Sequence, residues 1–217
     1  MVNAQASHER TQSLGEEIAN SVSHGVGLLA AIGAAVVLVR SALRQDGLAR
    51  IAGVSVFALA MVLLYLTSTL YHALPRNRAK RVFQVLDHTA IFLMIAGTYT
   101  PFTLGVLRGA WGWTLFGLVW GLALAGVVLT TAGGERYPKL RVGLYLAMGW
   151  LILVAIKPMW LRVPSWGLFW LFAGGVAYTV GVVFYAAKRI RYGHFIWHMF
   201  VIAGTACHFI AVLRFAA

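Results

Sequence analysis

The chain has 217 residues, of which 60% are hydrophobic and only 11% are charged. Soluble globular domains are usually about half apolar and a quarter charged, so this composition excludes an ordinary soluble domain and indicates a membrane protein. The net charge of +12 is large enough to suggest a nucleic-acid partner, but the Lys and Arg residues concentrate between apolar segments, and we therefore predict no nucleic-acid binding.

The N-terminal segment is polar over its first 20 residues and contains no apolar stretch behind basic residues. This pattern predicts that no cleavable signal peptide is present. The single cysteine, Cys207, lies within an apolar run, which excludes an intrachain disulfide and favours a small core residue.

Seven apolar segments are long enough to cross a membrane as helices, which requires about 20 mostly apolar residues each. Lys157 and Pro158 cut the fifth apolar run short. We predict an all-α integral membrane protein, a bundle of seven transmembrane helices that forms a single domain over residues 17–217, after a short polar tail over residues 1–16. The predicted spans cover about residues 21–39, 51–74, 84–106, 111–132, 142–160, 166–187 and 194–214.

Within the fourth span, Gly117 and Gly121 form a GxxxG pair. Such a pair permits close packing of two membrane helices, although ordinary membrane glycines also produce the pattern.

The orientation of the chain follows from the basic residues of its short connections. Lys and Arg residues divide 11 to 7 in favour of the side that holds the N-terminal tail and the second, fourth and sixth connections. Because basic connections stay in the cytoplasm, we predict that the N-terminus lies inside and the C-terminus outside the cell.

Several polar residues fall in the inner half of these spans. His72 ends the second span, Asp87 begins the third, and His194 and His198 begin the seventh. His194 and His198 lie one helical turn apart on the same face, the spacing of helical His-x-x-x-His metal sites. Polar residues in a bilayer are costly and usually face the interior of the bundle.

A lone membrane histidine more often packs or forms hydrogen bonds than binds a metal. The pair at His194 and His198, joined by His72 and Asp87 on the same side, favours a metal site. Three imidazoles with a nearby carboxylate suit catalytic zinc, which leaves one coordination position open. His208 lies about 21 Å along the helix from His194, so we interpret it as a separate packing or hydrogen-bonding residue.

Four motifs in chain order carry a resemblance to a known family: "EIANSVSH" from Glu17 to His24, "STLYH" from Ser68 to His72, "LDHTAIFLMIAGTYTPF" from Leu86 to Phe102, and "HFIWH" from His194 to His198. Together they resemble the hemolysin III family, the bacterial branch related to the progestin and adipoQ receptors. The resemblance covers about residues 16–215.

This resemblance implies seven transmembrane helices with a cytoplasmic N-terminus. It also implies that zinc is bound by three histidines, which fall here on His72, His194 and His198, with Asp87 in contact with a water at the zinc. The wider superfamily includes alkaline ceramidases, in which a similar Ser, Asp and His set hydrolyses a lipid amide.

The function that we predict is zinc-dependent hydrolysis of a lipid amide or ester in the plasma membrane, with a role in membrane lipid homeostasis. Asp87 would act as general base, and Ser68 would stabilise the oxyanion or orient Asp87. Membrane lipids are the expected partners, and a long-chain lipid would enter between the helices. Glu17, Asn20 and His24 share one face of the first span and either support the metal ligands or anchor the helix.

Two other functions remain open from the sequence. In the first, the protein is a non-enzymatic membrane sensor in which the zinc is structural. In the second, which is less favoured, it is a pore-forming cytolysin. The carboxylate of Asp87 favours the hydrolase over the sensor, because a structural site gains little from a carboxylate that does not bind the metal.

Overall fold

The computed structural model describes residues 12–45 and 47–217. These residues form eight α-helices and no strand. A π-helical turn over Phe102–Leu107 extends α3, a short 3-10 turn over Gly134–Arg136 follows α4, and a 3-10 segment over Leu151–Ala155 joins α5 to α6. The helices are α1 (Leu14–Leu43), α2 (Leu48–Ala73), α3 (Arg78–Pro101), α4 (Gly109–Gly133), α5 (Pro138–Gly149), α6 (Ile156–Arg162), α7 (Ser165–Ala186) and α8 (Gly193–Phe215).

The predicted seven-span architecture is confirmed, because seven helical segments of the described chain are long and apolar enough to cross a membrane. The third span joins α3 to its π-helical turn, and the fifth joins α5 to α6. A helix begins before its predicted apolar run where a polar capping residue starts it earlier in the chain. Helix α1 begins at Leu14 because Ser13 and Glu16 form a reciprocal capping box. Of the predicted polar tail, residues 1–11 lie outside the described residues.

The fifth span is interrupted, although the break does not lie at Lys157 or Pro158. Pro158 lies in the first turn of α6, where a helix does not need the missing N–H group. The break lies earlier, in the 3-10 segment after Gly149. There the Tyr99 hydroxyl of α3 donates to the carbonyls of Met148 and Gly149, and it accepts from the Ile152 amide. Tyr99 thus satisfies backbone groups that the broken helix leaves unpaired within the membrane.

Small residues bring α2 close to α1 on one side and to α3 on the other. A Cβ atom added at Gly97 of α3 would lie 2.8 Å from the Ala60 Cβ of α2, and one added at Gly27 of α1 would lie 2.8 Å from the Tyr65 ring. Helix α8 packs against both α1 and α7. The start of α1, the end of α2 and the start of α8 therefore meet, with the start of α3 beside them.

The GxxxG pair of α4 does not pack within this chain. Gly117 and Gly121 are both exposed, and a Cβ atom at either position would meet nothing within 4 Å. Close helix packing at this pair is therefore absent from the described fold.

Candidate metal centre

Three histidines from two helices meet at the end of the bundle where α1 begins. His72 lies in the last turn of α2, whereas His194 and His198 lie in the first two turns of α8. One ring nitrogen from each histidine lies within 4.8 Å of the others, and the ring centroids are 4.6 to 5.1 Å apart. The structure thus brings together the residues that were predicted to share a site.

The His72 ring is oriented by a carboxylate from α1. Its Nδ1 lies 2.8 Å from Oε2 of Glu17, which accepts a hydrogen bond from it. Its Nε2 is buried and has no hydrogen-bond partner among the described residues. Buried ring nitrogens are rarely left unpaired, and a metal ion would satisfy this one. A histidine held by a carboxylate on one nitrogen and free on the other fits a metal ligand well.

The His198 ring is oriented in the same way by two other groups of α1. Its Nδ1 lies 3.2 Å from the Asn20 carbonyl oxygen and 3.2 Å from Ser23 Oγ. A carbonyl oxygen only accepts, so Nδ1 carries the hydrogen and the lone pair of a neutral ring lies on Nε2. His198 therefore also keeps Nε2 for a metal ion.

Helix α1 thus supplies groups that hold the candidate ligands. Glu17 bonds to His72 and Asn20 bonds to His198, through a side chain and a main-chain carbonyl respectively. His24 stacks face to face on the His198 ring, with centroids 3.5 Å apart and an interplanar angle of 8°. Sequence reasoning missed Ser23, although it lies one turn after Asn20 on the same face of α1.

Two further contacts of α1 fix the ends of its neighbouring helices. The Tyr192 amide, just before α8, donates to Oε1 of Glu16 at 2.9 Å. Lys80 Nζ lies 3.1 Å from Oε1 of Glu17 and donates to the Tyr71 carbonyl at the end of α2. These links hold the start of α8 and the end of α2, where the three histidines lie, against one helix.

Asp87 and Ser68 lie beside the histidines without belonging to the cluster. Asp87 is buried on α3, and its carboxyl interacts electrostatically with His72. Ser68 Oγ is buried and close enough to interact with that carboxyl, which makes Asp87 its nearest candidate partner. Asp87 is not part of the group of close ligand atoms.

An apolar cavity extends from this site toward the opposite end of the bundle. Its volume is about 140 Å³, roughly ten times what a single water molecule needs. Ser68, Asp87, His194 and His198 line one end, and the walls continue over α3, α5, α6, α7 and α8. Sequence patterning did not predict this cavity, because it arises from the spacing of helices that are apolar on most faces.

The two remaining histidines of the described spans lie outside the cluster, as predicted for His208. That residue is buried, donates from Nδ1 to the Gly204 carbonyl at 2.9 Å, and stacks on Tyr178. His88 is buried next to Asp87, and its backbone carbonyl accepts a hydrogen bond from the Tyr145 hydroxyl.

Comparison with known proteins agrees with this architecture. The family model described as "Haemolysin-III related" matches residues 12–209. The chain is 43% identical over 198 residues to the hemolysin-3 homolog of Bacillus subtilis (strain 168), which covers 91% of this chain and 93% of that protein. It is 41% identical over 203 residues to hemolysin-3 of Bacillus cereus, covering 94% of this chain and 93% of the relative.

A more distant similarity reaches into animals. The chain is 27% identical over 170 residues to the human monocyte to macrophage differentiation factor, which covers 74% of this chain and 68% of that protein. The regions matched by the family model and by the bacterial relatives include the three histidines of the cluster, together with Ser68 and Asp87. The chain therefore belongs to the haemolysin-III related family of multi-pass membrane proteins.

Proposed function

We propose that the protein is a zinc-dependent membrane hydrolase that cleaves a lipid amide or ester. The observation that carries this proposal is the position of the three-histidine cluster, which lies at one end of an apolar cavity with a carboxylate and a hydroxyl beside it. A site that served only to hold helices together would need neither the cavity nor the carboxylate.

Zinc is the metal that suits this donor set best. Three imidazoles without a thiolate are typical of catalytic zinc sites, where the fourth position stays open for water or substrate. When bound, zinc would polarise the carbonyl of the substrate and make water a nucleophile near neutral pH. His72, His194 and His198 would hold it.

The side chains beside the cluster would carry the proton transfers. Asp87 would accept the proton of the attacking water as general base. Ser68 lies one turn before His72 and beside Asp87, and its hydroxyl would donate a hydrogen bond to the developing oxyanion or orient Asp87. Glu17 and Asn20 would keep two of the imidazoles oriented throughout the reaction.

The apolar walls of the cavity support a substrate with a long hydrocarbon chain. Such a lipid would enter sideways between the helices and bring its amide or ester to the cluster near the inner interface. We propose that the seven helices act as one domain over residues 17–217 in the plasma membrane, and that the reaction serves membrane lipid homeostasis.

The test compares two variants with different expected effects. Purified wild-type protein should carry close to one zinc per chain and hydrolyse at least one member of a panel of lipid amides and esters, in a chelator-sensitive way. His198→Ala removes a ligand and should lower both zinc occupancy and thermal stability. Asp87→Asn should keep zinc and stability but reduce turnover on the order of 10²–10⁴-fold.

The Asp87→Asn variant decides between the proposed functions. If it binds zinc and retains full turnover, Asp87 is not the general base. If wild-type protein carries zinc but hydrolyses none of the lipids, the non-enzymatic sensor replaces the hydrolase. Loss of zinc in Asp87→Asn would instead make the carboxylate a fourth ligand in a closed site.

A further inference from the structure

His208 lines the far part of the cavity, away from the metal cluster. It lies on the same helix as His198, ten residues later, which places it about 15 Å farther along the axis of α8. Its side chain is only 8% exposed. A polar ring at this depth needs a partner for each of its nitrogens.

The structure provides a partner for only one of them. Nδ1 donates to the Gly204 carbonyl at 2.9 Å, so the lone pair of the neutral ring lies on Nε2. Among the described residues, the hydrogen bond found for this ring is the one from Nδ1. The ring lines the cavity, and its open nitrogen is therefore an acceptor without a donor.

Three polar groups in the part of the cavity away from the metal cluster differ from His208 in this respect. The Tyr99 hydroxyl bonds to two carbonyls of the fifth span, and the Trp150 indole donates to Thr179 at 3.0 Å. The Tyr178 hydroxyl pairs with Thr205 at 2.9 Å. Because the protein satisfies these groups itself, they offer little to a ligand, whereas His208 offers a lone pair.

The His208 ring is also held in place. It stacks on the Tyr178 ring, with centroids 5.5 Å apart and an interplanar angle of 13°. On the Gly174 side, an added Cβ atom would lie 2.5 Å from the imidazole Cε1, so the ring fills the space left by that glycine. A ring packed in this way presents its acceptor in a fixed direction, which is a requirement for specific recognition.

We propose that His208 forms a hydrogen-bonding subsite for a hydroxyl group on the hydrocarbon chain of the lipid in the cavity. This inference rests on the proposed function, in which the carbonyl of that lipid lies at the metal cluster. The preferred ligand is then a hydroxylated acyl chain rather than an unsubstituted one. Its hydroxyl lies about half the thickness of the membrane away from its carbonyl.

The experiment measures binding rather than turnover. Octadecanoic acid and a set of octadecanoic acids with a hydroxyl at successive chain positions compete with a fluorescent fatty acid for zinc-loaded wild-type protein. One hydroxyl position should bind about three- to tenfold more tightly than the plain acid, the usual gain from one hydrogen bond between neutral groups.

Variants then assign that preference to one atom. His208→Asn keeps a donor for the Gly204 carbonyl, but its shorter side chain has no acceptor at the position of Nε2, so the preference should disappear while the plain acid still binds. Tyr178→Phe is the matched control, because it keeps the stacked ring and removes a hydroxyl that already has a partner. It should retain the preference.

Equal binding of all the acids by wild-type protein would overturn the inference, as would a hydroxyl preference that survives in His208→Asn. These outcomes are independent of catalysis. Turnover of lipid amides without any hydroxyl preference would leave the hydrolase standing and remove the subsite. A hydroxyl preference without turnover would support the subsite and remove the hydrolase.

Discussion

Glu17 illustrates how the candidate metal centre depends on residues that do not face the metal. Its carboxylate holds Nδ1 of His72 and also pairs with Lys80, so one side chain connects a candidate ligand to the start of α3. Ser23 and the Asn20 carbonyl have the corresponding role for His198. Each of these contacts fixes the direction in which an imidazole presents Nε2.

The contact between Glu17 and His72 leads to a prediction about metal affinity. Glu17→Gln keeps the size of the side chain but removes the charge that accepts from His72, so zinc affinity should fall about 10–100-fold. Titration against a coloured zinc chelator measures this change. Ser21→Ala is a suitable control, because that hydroxyl on the same helix bonds to the Thr69 carbonyl and has no bond to a candidate ligand. Unchanged affinity in Glu17→Gln would show that the carboxylate does not tune the site.

The sequence predicted the three histidines better than it predicted their support. The His-x-x-x-His pair and the alternating direction of successive spans were enough to predict that His194 and His198 lie near His72. The contribution of Ser23 was missed because a membrane serine ordinarily bonds to its own helix backbone. A main-chain carbonyl such as that of Asn20 has no side-chain signature at all.

At the scale of elements, the packing of α2 against α3 sets the distance between the cluster and Asp87. Gly97 and Ala60 form one of the close contacts of this packing. His72 near the end of α2 and Asp87 in the first half of α3 lie toward the same end of this pair of helices. A change in the separation of α2 and α3 therefore changes the distance from the carboxylate to the metal position.

Adding a single methyl group at this contact should be destabilising. Gly97→Ala places a Cβ atom 2.8 Å from the Ala60 Cβ, and overpacking of this kind typically costs about 1–3 kcal/mol. The midpoint of thermal unfolding in detergent should fall. The matched variant Gly117→Ala adds the same methyl group to open space on α4 and should leave the midpoint equal or slightly higher. Equal unfolding midpoints for both variants would show that the α2–α3 contact accommodates the added methyl group without loss of stability.

The fifth span shows where prediction of an element was limited. Lys157 and Pro158 suggested a weak helix near residue 157, yet the helix breaks in the apolar segment Leu151–Ala155. Nothing in that segment is polar or lacks an N–H group. The break depends on Tyr99, a residue of another helix, whose hydroxyl satisfies the backbone at this point. Local sequence carries no information about such a distant partner.

At the scale of the whole molecule, the sequence predicts how the chain is oriented in the membrane. The number of spans limits the orientations that are possible. Seven spans place the two termini on opposite sides of the membrane. The 11-to-7 division of Lys and Arg then predicts a cytoplasmic N-terminus. A phosphatase reporter that is active only outside the cytoplasm should therefore be active when fused after Ala217.

The same reporter provides the control for this topology. Inserted in the connection between α2 and α3, next to Pro75, it should be inactive, because that connection lies on the predicted inner side. Activity at Pro75 and none after Ala217 would invert the molecule and place the histidine cluster near the outer face.

The cluster joins the second membrane span to the last, and this order has a consequence for biogenesis. More than half of the chain must be translated between His72 and His198. A nascent protein that has inserted every helix except α8 holds one of the three imidazoles, which is too few to retain a metal ion. It also leaves Ser23 and His72 inside the bilayer without their neighbours His194 and His198, where exposed polar groups are costly. If the cluster binds zinc as proposed, metal capture would mark the completion of insertion, and prematurely terminated chains would remain open to proteolytic removal.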